Sequence, residues 1–396
     1  MVISTPTLSH KIDRTFIAPT RKLAPFGPTN VHLEDVDKLD DTERSQYSPD
    51  IAYLMAVISA WSYSDEAVLG AKLGYCGMAG AHVRQISVVN NALLVVSTAY
   101  LILSKTGRVG VLAFRGTDPA NGITILADAE VSQRSFGGGA VHAGFYANVE
   151  AVWDDVIEAI DGARRGVFLK KDGDPTGLPE KLTTLYITGH SLGGAMAMLS
   201  AARLFGDGYG TWSIKDFLRG VYTFGQPMVG DPSFAQACFE KFGDRHFRHV
   251  YRHDLVPHLP PTPGLSYAHA GPERRTRAIT KLWEDGKPAS DRANAAALPQ
   301  IALDFVGRRL FPALPIGVYS LDDHMPRNYV DACRTAIDEN SVISPSNGTR
   351  TNGFGRRLPH LVDTAQQIVH RAQTRVSALV SMMRGSAGST SVERSL

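Results

Sequence analysis

Two periods of hydrophobic residues alternate along this chain, one typical of strands and one typical of helices. After Ser48-Pro49-Asp50, a helix-start signal, apolar residues recur every three or four positions from Ile51 to Trp61, which predicts an amphipathic helix. Apolar or alternating runs, typical of strands, lie at 85–89, 93–96, 99–105, 108–114, 182–188, 220–224 and 246–252. The run at 99–105 is joined to the next by Thr106-Gly107, which predicts an antiparallel hairpin.

Helical patterns separate the later strands. Apolar positions follow a helical spacing after Val141, and a helix of small residues is predicted from Gly193 to Phe205. This alternation predicts an α/β protein with a mostly parallel central sheet, an antiparallel hairpin near the N-terminus and helices on both faces.

The composition changes near both ends of the chain. Residues 1–48 are rich in proline, threonine and charge, and we expect an extended arm there. Residues 49–344 form the expected α/β domain, with an inserted helical segment at about 277–318. Residues 345–396 predict a linker and a basic amphipathic helix, since this stretch holds seven arginines and two acids. Such a helix either docks on its own domain or a second subunit, leaving an oligomer open, or lies on an anionic lipid surface.

Charge and cysteine content exclude several classes of function. The formal net charge of +2 and the lack of basic stretches interleaved with aromatics argue against nucleic-acid binding. Three cysteines without metal-like spacing do not indicate a disulfide framework. The sequence has no standard signal peptide and no stretch of transmembrane length. We therefore expect a cytoplasmic protein or one exported by a non-classical route.

The candidate chemistry centres on the sequence Gly-His-Ser-Leu-Gly at 189–193, between a predicted strand and a predicted helix. A serine at such a turn is held in a strained conformation with its hydroxyl exposed, which is the arrangement of a nucleophile elbow. Ser191 is therefore the predicted nucleophile. The amide of Leu192, at the positive end of the helix, would stabilise a developing oxyanion.

A second oxyanion donor is predicted at Thr117, just after the strand 108–114. If that strand lies beside the elbow strand, the Thr117 amide reaches the same oxyanion as the Leu192 amide. The apolar residues Ile123, Ile125 and Leu126 follow, and Gly137-Gly138-Gly139 comes after them. We interpret them as a lid that moves on these glycines; the alternative is a fixed connection that buries the apolar side chains.

An acid and a base are expected in the order Ser, Asp, His. Asp254 follows a predicted strand and is the favoured acid; Asp231 is the competitor, with a helix cap as its structural role. His324, in a loop before a helix, is the favoured base, and His269 is second. The other histidines weighed are His258, His360 and His370 as weaker bases, and His142 with a structural role.

Together these motifs resemble the fungal-type class 3 triacylglycerol lipases. The matching segments occur in the family's order at 114–117, 142–146, 189–194, 222–227, 254–261 and 323–324. The resemblance implies an α/β-hydrolase fold with a lid over the active site. It also implies Ser191 as nucleophile, Asp254 as acid, His324 as base, Thr117 and Leu192 as the oxyanion hole, and no metal or organic cofactor. The lid stretch at 123–126 lacks the tryptophan that the family's lid often carries, which argues against strong interfacial activation.

Three functions remain in view at this stage. The first is a triacylglycerol lipase or carboxylesterase that forms an acyl-enzyme on Ser191 and meets a lipid–water interface through its lid and C-terminal helix. The second keeps the same residues but acts on phospholipids, as a phospholipase A1, or on polyesters or feruloyl esters. The third is a non-catalytic lipid-binding module, against which the presence of Ser191, Asp254 and His324 argues.

Overall fold

The structure is a computed structural model that describes residues 36–39, 47–74, 76–90, 95–117, 132–170, 174–206, 213–260, 266–276, 283–285, 320 and 322–343. The chain divides into two compact units, Met1–Ser344 and Pro345–Leu396. All described residues belong to the first unit. The predicted lid residues Ile123, Ile125 and Leu126 and the predicted C-terminal helix lie outside the described residues.

An eight-stranded sheet forms the centre of the first unit, in the spatial order β1-β2-β3-β8-β9-β10-β11-β12. Strands β1 to β3 pair antiparallel, β3, β8, β9, β10 and β11 pair parallel, and β12 is antiparallel at the far edge. These strands are β1 (His82–Asn90), β2 (Val95–Leu103), β3 (Val109–Phe114), β8 (Thr184–His190), β9 (Leu218–Phe224), β10 (His246–Val250), β11 (Glu273–Thr276) and β12 (Trp283–Asp285). Two short hairpins pair β4 (Gln133–Phe136) with β5 (Gly139–His142) and β6 (Val167–Phe168) with β7 (Thr176–Gly177).

The helices begin at the polar caps that the sequence provides. Ser48 accepts a hydrogen bond from the Ile51 amide at the start of α2, and Asp231 accepts one from the Phe234 amide at the start of α6, which satisfies N–H groups that lack an intrahelical partner. The helices are α1 (Val36–Leu39), α2 (Pro49–Trp61), α3 (Glu66–Leu73), α4 (Ala143–Arg164), α5 (Leu192–Gly206), α6 (Pro232–Phe242) and α7 (Pro326–Ile343).

Each face of the sheet carries its own apolar core. Leu101, Leu112 and Ile187 pack on one face with residues of α4 and α5. Their strand neighbours Tyr100 and Val111 point to the other face and pack with residues of α2 and α7. Because successive strand side chains point to opposite faces, strands buried on both faces read as continuous apolar runs, as β3 and β8 do.

Four local expectations differ from the structure. The described parts of the runs at 93–96 and 99–105 belong to one strand, β2 (Val95–Leu103), in which Ser97 and Thr98 are buried. The helix expected to open at Val141 begins at Ala143, since Val141 and His142 end β5. The residues Gly137-Gly138, which were expected to allow a lid to move, form the tight turn between β4 and β5. Within the segment expected to be helical at 277–318, the described residues 283–285 form the edge strand β12, which pairs with β11.

Part of the predicted N-terminal arm packs on the domain. Val36 is buried, and its amide donates to the Gly77 carbonyl at 3.0 Å. The Tyr47 hydroxyl lies 3.2 Å from His249 Nε2. These two parts of the arm therefore belong to the packed structure of the first unit.

Candidate active site

Ser191 lies at the turn between β8 and α5, with a backbone φ of 58°. This left-handed conformation is unfavourable for a residue with a side chain. The turn is tight on both sides. A Cβ on Gly189 would lie 2.1 Å from the Gly193 carbonyl oxygen, and a Cβ on Gly193 would lie 2.2 Å from the Phe114 carbonyl oxygen. Both positions therefore need glycine, as the elbow interpretation requires.

Asp254 is fully buried just beyond the end of β10. Its Oδ1 accepts a hydrogen bond from the Val256 amide at 2.9 Å. Its Oδ2 lies 2.8 Å from His324 Nδ1 and accepts a second hydrogen bond from the Tyr329 hydroxyl. Three donors therefore hold this carboxylate in one orientation.

His324 ends a single 3₁₀ turn, Asp322–His324, immediately before α7. Its ring is 1% exposed, and its Nε2 has no hydrogen-bond partner among the described residues. Because Nδ1 faces the Asp254 carboxylate, Nδ1 carries the proton in the neutral ring and Nε2 is left as an acceptor. The imidazole thus has the tautomer that a general base needs.

The backbone around Ser191 links this residue to the Asp254–His324 pair. The Ser191 amide donates to the Phe224 carbonyl at 2.9 Å. The next residue, Gly225, has φ +57°, and a Cβ there would lie 2.8 Å from Asp254 Oδ2 and 2.9 Å from His324 Nδ1. The end of β9 therefore touches the serine turn on one side and the acid–base pair on the other.

His190, the residue before Ser191, also contacts His324. Its Nε2 lies 2.8 Å from the His324 carbonyl oxygen, and the two rings are 4.5 Å apart between centroids. Its Nδ1 lies 2.9 Å from the Tyr63 hydroxyl. Tyr63 at the end of α2 and His190 at the end of β8 thus hold the turn that carries His324.

The predicted oxyanion donors lie at neighbouring element ends. Strand β3 runs parallel to β8, with Phe114 opposite Gly189, so Thr117 follows the strand that borders the serine turn. Its Oγ1 is buried and has no hydrogen-bond partner in the described part of the chain. Leu192 is the first residue of α5, where an amide has no acceptor within the helix.

Two groups that contact the Asp254–His324 pair, Tyr329 and His190, are neutral at ordinary pH. Burial and then the neighbouring Asp254 raise the pKa of Tyr329 well above its usual value, so its hydroxyl keeps its proton. Burial and then the proximity of His324 lower the pKa of His190 well below its usual value. Neither group therefore adds a charge beside the imidazole.

The competing candidates occupy structural positions. Asp231 caps α6, with its Oδ1 2.8 Å from the Phe234 amide. His269 Nε2 lies 2.7 Å from the Pro257 carbonyl oxygen, and His142 caps α4 by accepting from the Phe145 amide at 3.3 Å. His258 lies in the 3₁₀ turn Val256–His258 after Asp254, and His360 and His370 lie outside the described residues.

Sequence reasoning did not single out Tyr329, His190, Tyr63 or Gly225. Tyr329 and Tyr63 carry no motif, because their role depends on contacts over 75 and 127 positions of sequence. A signal existed for the other two, since His190 lies inside the elbow motif and Gly225 directly follows an apolar strand. Among the described residues, no cluster of three or more potential metal ligands occurs, and no helix there is both long and apolar enough to cross a membrane.

The sequence of this chain is similar to that of one known protein family. Residues 111–264 match the sequence model of the family described as Lipase (class 3). The chain is 35% identical over 164 residues to a lipase of Rhizomucor miehei, a match that covers 41% of this chain and 40% of that protein. It is 32% identical over 191 residues to the secreted mono- and diacylglycerol lipase 1 of Fusarium solani, 48% of each chain. The chain thus spans less than half the length of these curated relatives.

A solved structure agrees on the fold. The crystal structure of a lipase from Rhizopus microsporus var. chinensis superposes with a TM-score of 0.51 at 20% identity, covering 76% of this chain and 95% of that one. The chain therefore has the α/β-hydrolase fold, and within residues 111–264 its sequence is similar to the class 3 lipases.

Proposed function

We propose that this protein is a serine hydrolase that cleaves carboxylic esters of lipids, with acylglycerols as substrates and an acyl-enzyme formed on Ser191. The observation that carries the proposal is the Asp254–His324 pair beside the strained serine turn, with Nδ1 2.8 Å from the carboxylate and Nε2 buried without a partner. An imidazole oriented in this way is suited to remove a proton from a serine hydroxyl.

The first half of the reaction transfers the acyl group to the enzyme. His324 Nε2 takes the Ser191 hydroxyl proton while Oγ attacks the ester carbonyl carbon. The negative charge that develops on the carbonyl oxygen is stabilised by the Thr117 and Leu192 amides and by the Thr117 hydroxyl. The intermediate then collapses, the ester C–O bond breaks, and the imidazolium returns its proton to the leaving alcohol.

The second half releases the acid. A water molecule gives a proton to His324 Nε2 and attacks the acyl carbon, and the bond to Ser191 Oγ breaks as that oxygen takes the proton back. Asp254 stays ionised throughout and stabilises the imidazolium. The Val256 amide and the Tyr329 hydroxyl keep its charge in place.

The substrate class is proposed from the relatives, one of which carries mono- and diacylglycerol lipase in its name. We also propose that Ile123, Ile125 and Leu126 form a lid and that the basic C-terminal helix, with the lid, contacts a lipid–water interface. These residues lie outside the described part of the chain. Hydrolysis rates measured across the solubility limit of a short-chain triacylglycerol test this proposal, and a smooth saturation curve would argue against a lid.

A substrate panel and covalent labelling test the proposed function directly. Rates on short and long p-nitrophenyl esters, triolein and a phospholipid distinguish a lipase from a phospholipase. A fluorophosphonate probe should label the protein, and labelling should disappear in Ser191→Ala. Ser200→Ala is the matched control, since Ser200 is a buried serine of helix α5, which follows Ser191 directly. Equal labelling of Ser191→Ala and the wild-type protein would contradict the assignment.

A further inference from the structure

The turn Tyr251–Asp254, which carries the proposed acid, has an unfavourable backbone conformation. The Asp254 amide donates to the Tyr251 carbonyl at 2.9 Å, which closes the turn. Arg252 within it has a φ of 43°, a left-handed value that is unfavourable for a residue with a side chain. Contacts from outside the turn must therefore hold it.

Side chains from distant segments supply those contacts. The remaining amides of the turn each donate to a side-chain oxygen: Tyr251 to the Tyr329 hydroxyl at 3.1 Å, Arg252 to Thr276 Oγ1 at 3.1 Å, and His253 to Asp323 Oδ2 at 3.2 Å. These hydrogen bonds satisfy backbone amides for which no regular secondary structure provides a partner. The conformation of the turn thus depends on these three side chains.

A guanidinium group fixes the turn from its carbonyl side. Arg275 Nη1 donates to the Arg252 carbonyl oxygen, while its Nε donates to Glu273 Oε1 at 2.7 Å. Glu273 Oε2 in turn lies 3.3 Å from Nη2 of Arg248, a fully buried residue of the adjacent strand β10. Arg252 is therefore held at its amide by Thr276 and at its carbonyl by Arg275, two consecutive residues of β11.

Glu273 keeps its charge in this network. Burial by itself would raise the pKa of Glu273, but the hydrogen bond from Arg275 and the charges of Arg248 and Arg275 outweigh it and lower that pKa. An ionised Glu273 fixes the plane of the Arg275 guanidinium, because Nε and Nη1 belong to one rigid fork.

We propose that Arg275 and Thr276 are positioning residues that hold Arg252 in its left-handed conformation and thereby aim the Asp254 carboxylate at His324. This inference rests on the proposed function, because it assigns the two residues a role in the same ester hydrolysis. Neither residue touches the reacting atoms; both act through the turn Tyr251–Asp254.

Arg275→Lys tests the geometry separately from the charge. A lysine ammonium keeps the positive charge but cannot donate to Glu273 and to the Arg252 carbonyl in the fixed geometry of a fork. Thr276→Val removes the acceptor of the Arg252 amide while keeping the side-chain shape, and Thr276→Ser restores a hydroxyl. We expect Arg275→Lys and Thr276→Val to lower kcat about tenfold, with KM nearly unchanged and Thr276→Ser close to wild type.

The pH dependence of activity provides a second measurement, which a loss of stability alone would not change. Among the described residues, the titratable groups that contact His324 or its partner carboxylate are Asp254, His190 and Tyr329. A carboxylate held close to an imidazole stabilises the imidazolium. A loosened Asp254 should therefore move the acid limb of kcat/KM to lower pH in both variants. The downfield proton resonance of the His324 Nδ1–H should likewise move upfield, and NMR records it without turnover.

Two further sets of variants complete the test. Arg245→Lys is the matched control, since Arg245 Nη1 also donates to main-chain carbonyls, those of Lys215 and Leu218, at the opposite end of β10. It should change stability without moving the His324 resonance.

Added to Arg275→Lys, the substitution Arg252→Gly should restore most of the lost kcat, because glycine accepts a positive φ without strain. Arg252→Ala should not restore it.

The outcomes separate this inference from the proposed function. A wild-type protein that hydrolyses no ester would contradict the proposed function. The His324 resonance would still show whether Arg275 and Thr276 position Asp254. If Arg275→Lys and Thr276→Val keep the wild-type resonance and the wild-type acid limb, the two residues only support the fold and do not position Asp254.

Discussion

The Tyr329 hydroxyl donates a hydrogen bond to Asp254 Oδ2, the same oxygen that faces His324 Nδ1. It also accepts a hydrogen bond from the Tyr251 amide at 3.1 Å. One hydroxyl thus fixes the carboxylate and the start of the turn that carries it. Because this hydroxyl draws negative charge from Oδ2, it weakens the electrostatic attraction between the carboxylate and the imidazolium.

Tyr329→Phe should therefore strengthen the attraction between the carboxylate and the imidazolium. Because Thr276, Asp323 and Arg275 still hold the turn, the acid limb of kcat/KM should move to higher pH, the opposite direction to that expected for Arg275→Lys, and kcat should change only a few-fold. The free energy of unfolding should fall by about 1–3 kcal/mol, because the part-buried Tyr251 amide loses its partner. Tyr100→Phe, which removes a hydroxyl that donates to the Ser64 carbonyl, is the control. A limb that moves equally in both variants would contradict the prediction.

Ser191→Gly should be more stable than Ser191→Ala by about 1 kcal/mol, because only glycine adopts a φ of 58° without strain. Urea unfolding of the two variants measures the difference. At Ser200, within helix α5, the order should reverse, because glycine is less favourable than alanine in a helix by about 1 kcal/mol. A Ser191→Ala variant that is at least as stable as Ser191→Gly would show that the serine turn stores no strain. Both Ser191 variants should also lose hydrolysis.

Gly225→Ala should lower both activity and stability. The added Cβ would lie within 2.9 Å of Asp254 Oδ2 and His324 Nδ1, at a φ of +57°. We expect the free energy of unfolding to fall by about 1–3 kcal/mol and kcat to fall at least tenfold. Gly206→Ala, at the end of α5 with open space at its Cβ position, should leave kcat unchanged. A fully active Gly225→Ala would mean that the backbone of β9 does not fix the acid–base pair.

Stability should fall steeply as the pH drops below 6.5. Burial lowers the pKa of His142 to about 4, and burial, followed by the charges of Arg248 and Arg274 respectively, lowers the pKa of His246 and His249 to about 3. The unfolded chain binds protons on these rings between pH 6.5 and those values, whereas the folded chain does not. Each ring therefore contributes a loss of about 1.4 kcal/mol per pH unit as the pH falls through this window.

The slope of unfolding free energy against pH, measured by urea unfolding from pH 7 to pH 4.5, checks this expectation. His246→Gln should flatten the slope, because it removes a ring that stays neutral in the folded state. His253→Gln replaces an exposed histidine and should leave the slope unchanged. Equal slopes in the two variants would mean that the buried histidine does not drive acid unfolding.

The local sequence determined β8, the serine turn and α5, because the residues that specify these elements are adjacent in the chain. An apolar run, the glycines at 189 and 193 and a small-residue helix predict β8, the turn and α5, which form at 184–190 and 192–206. The α/β fold with its mostly parallel sheet follows from the alternation of patterns and is confirmed. The roles of Ser191, Asp254, His324, Thr117 and Leu192 stay predictions.

Tertiary structure alone decided which side chains surround the proposed acid and base. Asp254 and His324 are 70 positions apart, and the contacts of Tyr329, Thr276 and Arg275 with the acid turn are made by side chains of types that occur throughout the chain. No periodicity marks such contacts, because they depend on which strands become neighbours in the sheet. A hydrophobic pattern specifies which residues are buried, whereas the partners of a buried polar group are specified only once the strands and helices have packed.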